Sequence, residues 1–264
     1  MTSTTFVQRD QPEGVPPLSL TGERTLPDVP EENYWFRRHL VVYEWIAASV
    51  GGLRVIDMAC GEGYGSDVLA RRAASVVGVD ANPEAHEHAR LRYRRPNLRF
   101  ARELVGSFSE PADAVVFLQT VEHVEQPLEV LEHFRAIVAQ ARLAEAGGGA
   151  VFVSTPNVLT LAPKGASRSG NPWHVHEYRV EEFQSLCSSR FPSVEMYGLF
   201  HAGKLRAHET ALRLGWDSLH PRIGLTRRFY DWFTPAISTA DFVLRPAGEA
   251  DMDRALDFLA VCRS

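Results

Sequence analysis

The sequence predicts an α/β fold: a doubly wound, three-layer sheet of seven strands, the last antiparallel, with a helical cap inserted ahead of that last strand. Three observations predict it. Short apolar runs alternate with segments of helical period, joined by short connections, the pattern of crossover units winding about a parallel sheet. Within "DAVVFLQ" (113–119) every residue from 114 to 118 is apolar, as in a strand whose two faces are both covered by helices. Residues 201–250 then hold two helical patterns, "KLRAHETALRLG" and "PRIGLTRRFYDWF", where the alternation pauses.

Taken in order, residues 1 to 30 contain five prolines and few apolar anchors, which predicts a mobile arm. "EENYWFRRHLVVYEWIAASV" places Trp35, Phe36, Leu40, Tyr43 and Trp45 at helical spacing and stops at Gly51-Gly52. "LRVIDMA" is a buried strand, followed by a helix from Gly63 through Arg72. "SVVGVD" is the second strand, and Asn82-Pro83 opens the next helix. "NLRFA" is a weak third strand and "DAVVFLQ" a strong fourth. A helix over "QPLEVLEHFRAIVAQARLAEA" ends at Gly147-Gly148-Gly149. "AVFVSTP" is the fifth strand, "VEEFQSLCSSR" a helix, and "SVEMYGLF" and "ALDFLAVCR" the last two strands. The expected organisation is an arm and lid helix (1–50), a ligand-binding core (51–200), a helical cap (201–250) and a final core strand (251–264).

Composition narrows the function. With 264 residues the chain can bury one sizeable core. Its net charge of −5 gives no reason to expect nucleic acid, and the local cluster Arg92, Arg94 and Arg95 reads as a solvated helix face. Cys60, Cys187 and Cys262 are too few and too scattered for a disulfide framework or a zinc ribbon, and they suit a reducing compartment. The first residues lack an apolar signal core, and no segment reaches the roughly 18–20 apolar residues of a membrane span. A cytoplasmic protein, monomer or homodimer, without membrane or nucleic-acid partners is the expectation.

The stretch "VIDMACGEGYGS" (55–66) carries the functional signal. Glycines after a first strand let backbone approach a ligand and aim helix N–H groups at it. The dinucleotide form G-x-G-x-x-G is met only if Ser66 stands for its third glycine, so the loop alone is weak evidence for a nicotinamide dehydrogenase. Asp57 ends the strand just before the turn, where a carboxylate repels a pyrophosphate but suits an ammonium or sulfonium. Asp80 ends the second strand, where it can accept both hydroxyls of a ribose. A ligand with a ribose, no phosphate and a positive charge is required, and S-adenosylmethionine fits.

Four segments in order, "VIDMACGEGYGS", "VVGVDANPEAHEHAR", "DAVVFLQTVEHVEQP" and "GGGAVFVSTPN", resemble the successive motifs of class I S-adenosylmethionine-dependent methyltransferases, with a Rossmann-like sheet. The resemblance runs from about residue 20 to 200 and is nearest to small-molecule O-methyltransferases of the ubiquinone-biosynthesis type, joined by "TGER" and "NPWHVHEYRVEEF". It implies that Ala59, Gly61 and Gly63 line the methionine and ribose portion, that Asp57 helps hold the ligand ammonium, and that Asp80 takes the ribose hydroxyls. Ala81 and Asn82 would lie beside the adenosine, Glu103 and Leu104 near the adenine, and Gln119 near the methionine portion. Ala59 departs from the family, which more often has glycine there; an added methyl group alters little.

Methyl transfer from sulfonium is an in-line displacement, and a hydroxyl or amine acceptor must also lose a proton to a base. His123 in "TVEHV" and His174 or His176 in "NPWHVHEY" are the candidates, with Glu122 as a base or as an orienter of a histidine. Each has a structural alternative in capping or packing. The spacing H-x-H-E matches no strong ligand pattern, so no metal is expected. Arg37 or Arg38 could meet the ligand carboxylate from a lid helix, or the helix could simply pack. Trp216, Tyr230, Trp232 and Phe233 could wall an acceptor site or serve core packing or a dimer contact. Cys60 reads as a small buried filler. The function expected is methylation of a hydroxyl on a small molecule such as a sugar or secondary metabolite. Methylation of an amine or amino sugar, and S-adenosylmethionine binding without turnover, stay open.

Overall fold

The chain was analysed as a computed structural model that describes residues 5–6, 12–20, 24–27, 29–139, 149–163, 165–216, 219–220 and 226–264. A small antiparallel pair, β1 (Thr5–Phe6) and β2 (Leu18–Ser19), precedes α1 (Asn33–Ser49). The main sheet is built from β3 (Arg54–Met58), β4 (Ser75–Val79), β5 (Leu98–Ala101), β6 (Ala114–Leu118), β7 (Ala150–Pro156), β8 (Ser193–His201), β9 (Phe242–Pro246) and β10 (Asp257–Arg263). Its order is β5-β4-β3-β6-β7-β10-β8-β9. The first five are parallel; β10 is antiparallel to both β7 and β8, and β9 is antiparallel to β8.

The helices are α2 (Tyr64–Ala70), α3 (Pro83–Arg92), α4 (Pro127–Val138), α5 (Val158–Leu161), α6 (Val180–Ser188), α7 (Gly203–Arg213) and α8 (Thr226–Phe233). On one sheet face, Leu131, Phe134 and Ile137 of α4 and Phe183 of α6 pack on Val115, Phe117 and Phe258. On the other, Phe36, Leu40, Tyr43 and Ile46 of α1 and Val68 and Leu69 of α2 pack on Val55, Val116 and Leu259. Two filled faces explain the uninterrupted apolar run of β6, buried at all five positions. None of the described helices is long and apolar enough to cross a membrane.

Eight strands replace the seven expected. The extra one, β9, lies inside the stretch read as helical cap. It is an edge strand, buried only at Phe242 and ending in the exposed Arg245 and Pro246, so it lacks the apolar run that marks an interior strand. The N-terminal segment also departs from expectation where it is described. Leu18, Leu26 and Val29 bury one another, and the Pro16 carbonyl accepts from His88 Nδ1 at 2.6 Å. Three well-spaced apolar residues suffice to dock a proline-rich stretch that composition reads as mobile. The expected end of the helix in α4 at residues 140–148, and the start of the second cap helix at 221–225, lie outside the described residues.

Candidate functional site

The carboxyl ends of β3, β4, β6 and β7 come together at one edge, the position where such sheets bind ligands. The loop after β3 turns sharply because Ala59, Gly61 and Gly63 all have left-handed backbone, with φ of 57°, 56° and 97°. At Gly63 a Cβ would also sit 2.8 Å from the Ala89 Cβ, so glycine is needed there twice over. At Gly61 a Cβ would meet nothing, because that face of the loop opens on a cavity. Ala59 is the costly member: an L-residue pays about 1 kcal/mol or more in this conformation, more than its single methyl implied.

Asp80, half-buried beyond β4, fastens this loop. Its Oδ2 accepts from Gly61 N and its Oδ1 from Asn82 N, both at 2.8 Å. A carboxylate offers roughly four acceptor positions, so about two remain for ligand hydroxyls. Asp57 is fully buried beneath the loop, where Oδ1 accepts from the Tyr43 hydroxyl at 3.1 Å and Oδ2 from the Ser66 hydroxyl at 2.6 Å. Burial pushes its carboxyl up to about 7, the two hydroxyls oppose this, and Asp80 adds to it. Asp57 lies behind Tyr43, Ala59 and Cys60, which line the cavity, and is not itself a lining residue. The Cys60 thiol is held far above its ordinary range, first by burial and then by Asp57 and Asp80, as befits a buried filler.

The cavity holds about 450 Å³ and brings together Ala59, Gly61, Asp80, Gln119 and His123 from the expected set. Gln119 reaches it through a left-handed residue (φ 50°) whose N–H and side-chain amide both donate to Ser154 Oγ at 3.1 Å. Ala81, Asn82, Glu103 and Leu104 are exposed and do not line it. The Asn82 side chain is occupied in capping α3, accepting from Glu84 N and Ala85 N at 2.9 Å. Residues that the sequence reading missed also contribute: Arg24 and Thr25 from the N-terminal segment, His39 from α1, Glu62 from the loop and Tyr64 from the start of α2. Glu62 is buried and accepts from His88 Nε2 at 3.0 Å and from the Tyr93 hydroxyl at 2.8 Å. Burial lowers the His39 imidazole to about 4, so this ring is neutral near pH 7.

A second cavity of about 340 Å³ adjoins the first and shares Arg24, Thr25, His39, Gln119 and His123 with it. Its remaining walls include Glu32, Trp35, Glu122 and His174. Glu122 and His123 sit on the single 3-10 turn Val121–His123 after β6, whereas His174 comes from the loop before α6. The two segments are stitched together: Val175 N and His176 N donate to the Glu122 carbonyl at 2.8 and 3.1 Å, and His123 Nδ1 donates to the Trp173 carbonyl at 3.0 Å. The His123 and His174 rings meet edge to face at 4.9 Å. Ligand atoms of Glu122, His123 and His174 lie within 4.8 Å of one another, close enough to share a cation. Their linear spacing gave no hint of this convergence. His176 turns instead against the Tyr178 ring, at 4.4 Å.

Arg38 is buried in a bidentate pair with Asp257, at 2.7 and 2.6 Å, and Arg37 donates to Asn33. Neither lines the cavities; among the described residues Arg24 is the arginine that does. Tyr230 and Phe233 stack among themselves with His208 and Phe229, Trp216 joins through Phe229, and Trp232 is 67% exposed. None of these cap aromatics is among the described lining residues.

Residues 26–207 match the family model described as a methyltransferase domain. Over 258 residues the chain is 36% identical to a protein of Mycolicibacterium smegmatis named "Probable S-adenosylmethionine-dependent methyltransferase", covering 92% of this chain and 94% of that one. A protein of Mycobacterium tuberculosis bearing the same description is 37% identical over 253 residues, covering 92% and 89%. The ubiquinone biosynthesis O-methyltransferase of Aeromonas salmonicida is 35% identical over 123 residues, covering 43% and 49%. Among solved structures, an S-adenosylmethionine-dependent methyltransferase of Mesorhizobium loti shares the fold at TM-score 0.53 and 15% identity, covering 88% and 98%. The family match and the extent of the mycobacterial likeness agree with the cavity at the strand ends: this chain belongs to the S-adenosylmethionine-dependent methyltransferases.

Proposed function

We propose that the enzyme methylates a hydroxyl of a small molecule held in the second cavity, with His174 as general base. The observation that carries this reading is the pair of adjoining cavities, whose common wall contains His123 and Gln119. The larger cavity fits S-adenosylmethionine: Gly61 leaves room for close approach, Asp80 keeps acceptor capacity for a ribose, and Arg24 offers a guanidinium to a carboxylate. Asp57 acts on the ligand ammonium from below the loop, where that charge draws a carboxyl raised to about 7 by burial toward its ionised form. Bound there, S-adenosylmethionine supplies a methyl carbon made electrophilic by its sulfonium.

The protein's own contribution is alignment and proton removal. His123, facing both cavities, orients the acceptor hydroxyl. His174 takes the proton, because its Nδ1–H is already given to Glu177 at 2.8 Å and its Nε2 keeps a lone pair. His123 Nδ1 is given to the neutral Trp173 carbonyl instead. A second reading is methylation of an amine, favoured by the two carboxylates Glu32 and Glu122 on the walls of the acceptor cavity. The test is release of S-adenosylhomocysteine over catechol, simple phenols, glucose and glucosamine, with and without EDTA. Turnover of a hydroxyl probe, reduced at least 30-fold by His174→Ala, is expected. Turnover of glucosamine alone would favour the amine, and loss on chelation would give Glu122, His123 and His174 to a cation instead.

A further inference from the structure

The loop that delivers His174 is organised around one carboxylate, Glu177. Its Oε2 accepts from Ser169 N at 2.8 Å, and its Oε1 accepts from the Ser169 hydroxyl. The same Oε1 accepts from His174 Nδ1 at 2.8 Å. The two side chains of the pair are 7% and 4% exposed, so this is a desolvated contact. Ser169 is fixed in turn, because its Oγ accepts from Asn171 N at 3.1 Å and Asn171 Oδ1 accepts from Trp173 N at 3.0 Å. Arg168 closes the other side by donating to the His174 carbonyl at 2.9 Å. These hydrogen bonds hold the Glu177 carboxyl below its ordinary range against the opposing effect of burial, so it is ionised at neutral pH.

We infer that Glu177 is a positioning residue for the methyl transfer, through its grip on His174. The inference rests on the reading of His174 as the base. An ionised carboxylate facing Nδ1 leaves only one neutral tautomer, with the proton on Nδ1 and the lone pair on Nε2. It also stabilises the imidazolium that forms when the base is used, as a buried carboxylate does for histidine in hydrolase triads. The proton moves from the acceptor oxygen to Nε2. The oxygen keeps the O–H pair, forms the new bond to the methyl carbon, and the former C–S pair stays with sulfur. Glu177 neither gains nor loses a proton, and it does not line either cavity. A surface ion pair would add little, but here Ser169 and the buried setting fix the geometry in advance.

The experiment uses the full chain labelled with 15N-histidine, S-adenosylmethionine, and catechol as the hydroxyl probe. In the wild type, the His174 ring should show a single Nδ1–H tautomer; in Glu177→Ala it should become a mixture. Glu177→Gln, which preserves shape without charge, should lower kcat for catechol at least 30-fold, with KM and the Kd for S-adenosylmethionine within twofold of wild type. Glu177→Asp should recover part of that loss. An unaltered tautomer in Glu177→Ala, or kcat within twofold of wild type in Glu177→Gln, would overturn the inference. Unchanged S-adenosylmethionine binding shows that each variant is folded. If the wild type does not turn over catechol, the hydroxyl reading fails for that probe and the tautomer result alone decides the role of Glu177.

Discussion

The two adjoining cavities share one wall and differ in what completes each. What the larger has to itself is set mainly by strand ends: the turn carrying Ala59, Cys60 and Gly61 after β3, Asp80 after β4, and Leu118 and Thr120 around the end of β6. The smaller adds side chains from other elements: Glu32 and Trp35 from the entry to α1, Glu122 from the turn after β6, and His174 from the loop before α6. Backbone positions follow from the sheet and tolerate almost no change. Side chains delivered by loops can be exchanged while the sheet stays intact, which is how one fold serves many acceptors.

That contrast is sharpest at Gly63. Gly63→Ala combines a φ of 97° with a Cβ 2.8 Å from Ala89, and should destabilise the fold by about 2–3 kcal/mol and weaken S-adenosylmethionine at least 100-fold by calorimetry. An effect as small as that of an ordinary surface substitution would mean the loop is not the cofactor cradle. Next comes Asp80→Ala, which frees Gly61 N and Asn82 N and removes the carboxylate proposed to take the ribose hydroxyls. A 10- to 100-fold rise in Kd for S-adenosylmethionine is expected, and an unchanged value would break the assignment.

A pH experiment separates the buried loop support from the wall between the cavities. Asp57 has its carboxyl raised from 3.8 to about 7, so the folded state binds more protons than the unfolded one between those values. Its stabilising contribution is complete below about pH 4 and is lost as pH rises through 7. His39 is lowered from 6.5 to about 4, so stability gained from it rises with pH over that window. In the wild type the two slopes oppose each other. Asp57→Asn should leave stability rising between pH 4 and 6.5, and His39→Gln should leave it falling between pH 4 and 7. Denaturant titrations at several pH values would show this, and matching slopes in both variants would contradict it. The smallest effect is at Ala59. Ala59→Gly should relieve the left-handed backbone (φ 57°) and raise stability by about 0.5–1 kcal/mol, partly offset by glycine's own entropy, with cofactor binding unchanged. A loss of stability would show that the methyl group's packing outweighs the strain.

The same division decided what could be read from the sequence. Interior strands such as β6 announce themselves because both faces are buried, and the glycines and Asp80 stand at fixed offsets from those strands. Edge strand β9 carries arginine and proline and looks like loop. Glu122, His123 and His174 were legible as chemistry-bearing types near strand ends, but their convergence depends on the Glu122 carbonyl gripping residues 175 and 176. Arg24 closes the segment "TGER", which joined the resemblance without a role attached, and His39 sits on a helix face with no local pattern to mark it. The adenine-side expectation at Glu103 and Leu104 followed family position alone, and both are exposed residues outside the cavity lining. Asp57 was read from its place before the turn; only the hydroxyls of Tyr43 and Ser66 reveal that it is buried beneath the loop.

The most direct test of this division of labour compares Asp80→Ala with His174→Ala, measuring S-adenosylmethionine binding by calorimetry and S-adenosylhomocysteine release on a hydroxyl probe. The account predicts that Asp80→Ala loses at least tenfold in cofactor affinity, while His174→Ala binds the cofactor as the wild type does and loses at least 30-fold in turnover. Equal weakening of cofactor binding by both variants, or full turnover by His174→Ala, would contradict it.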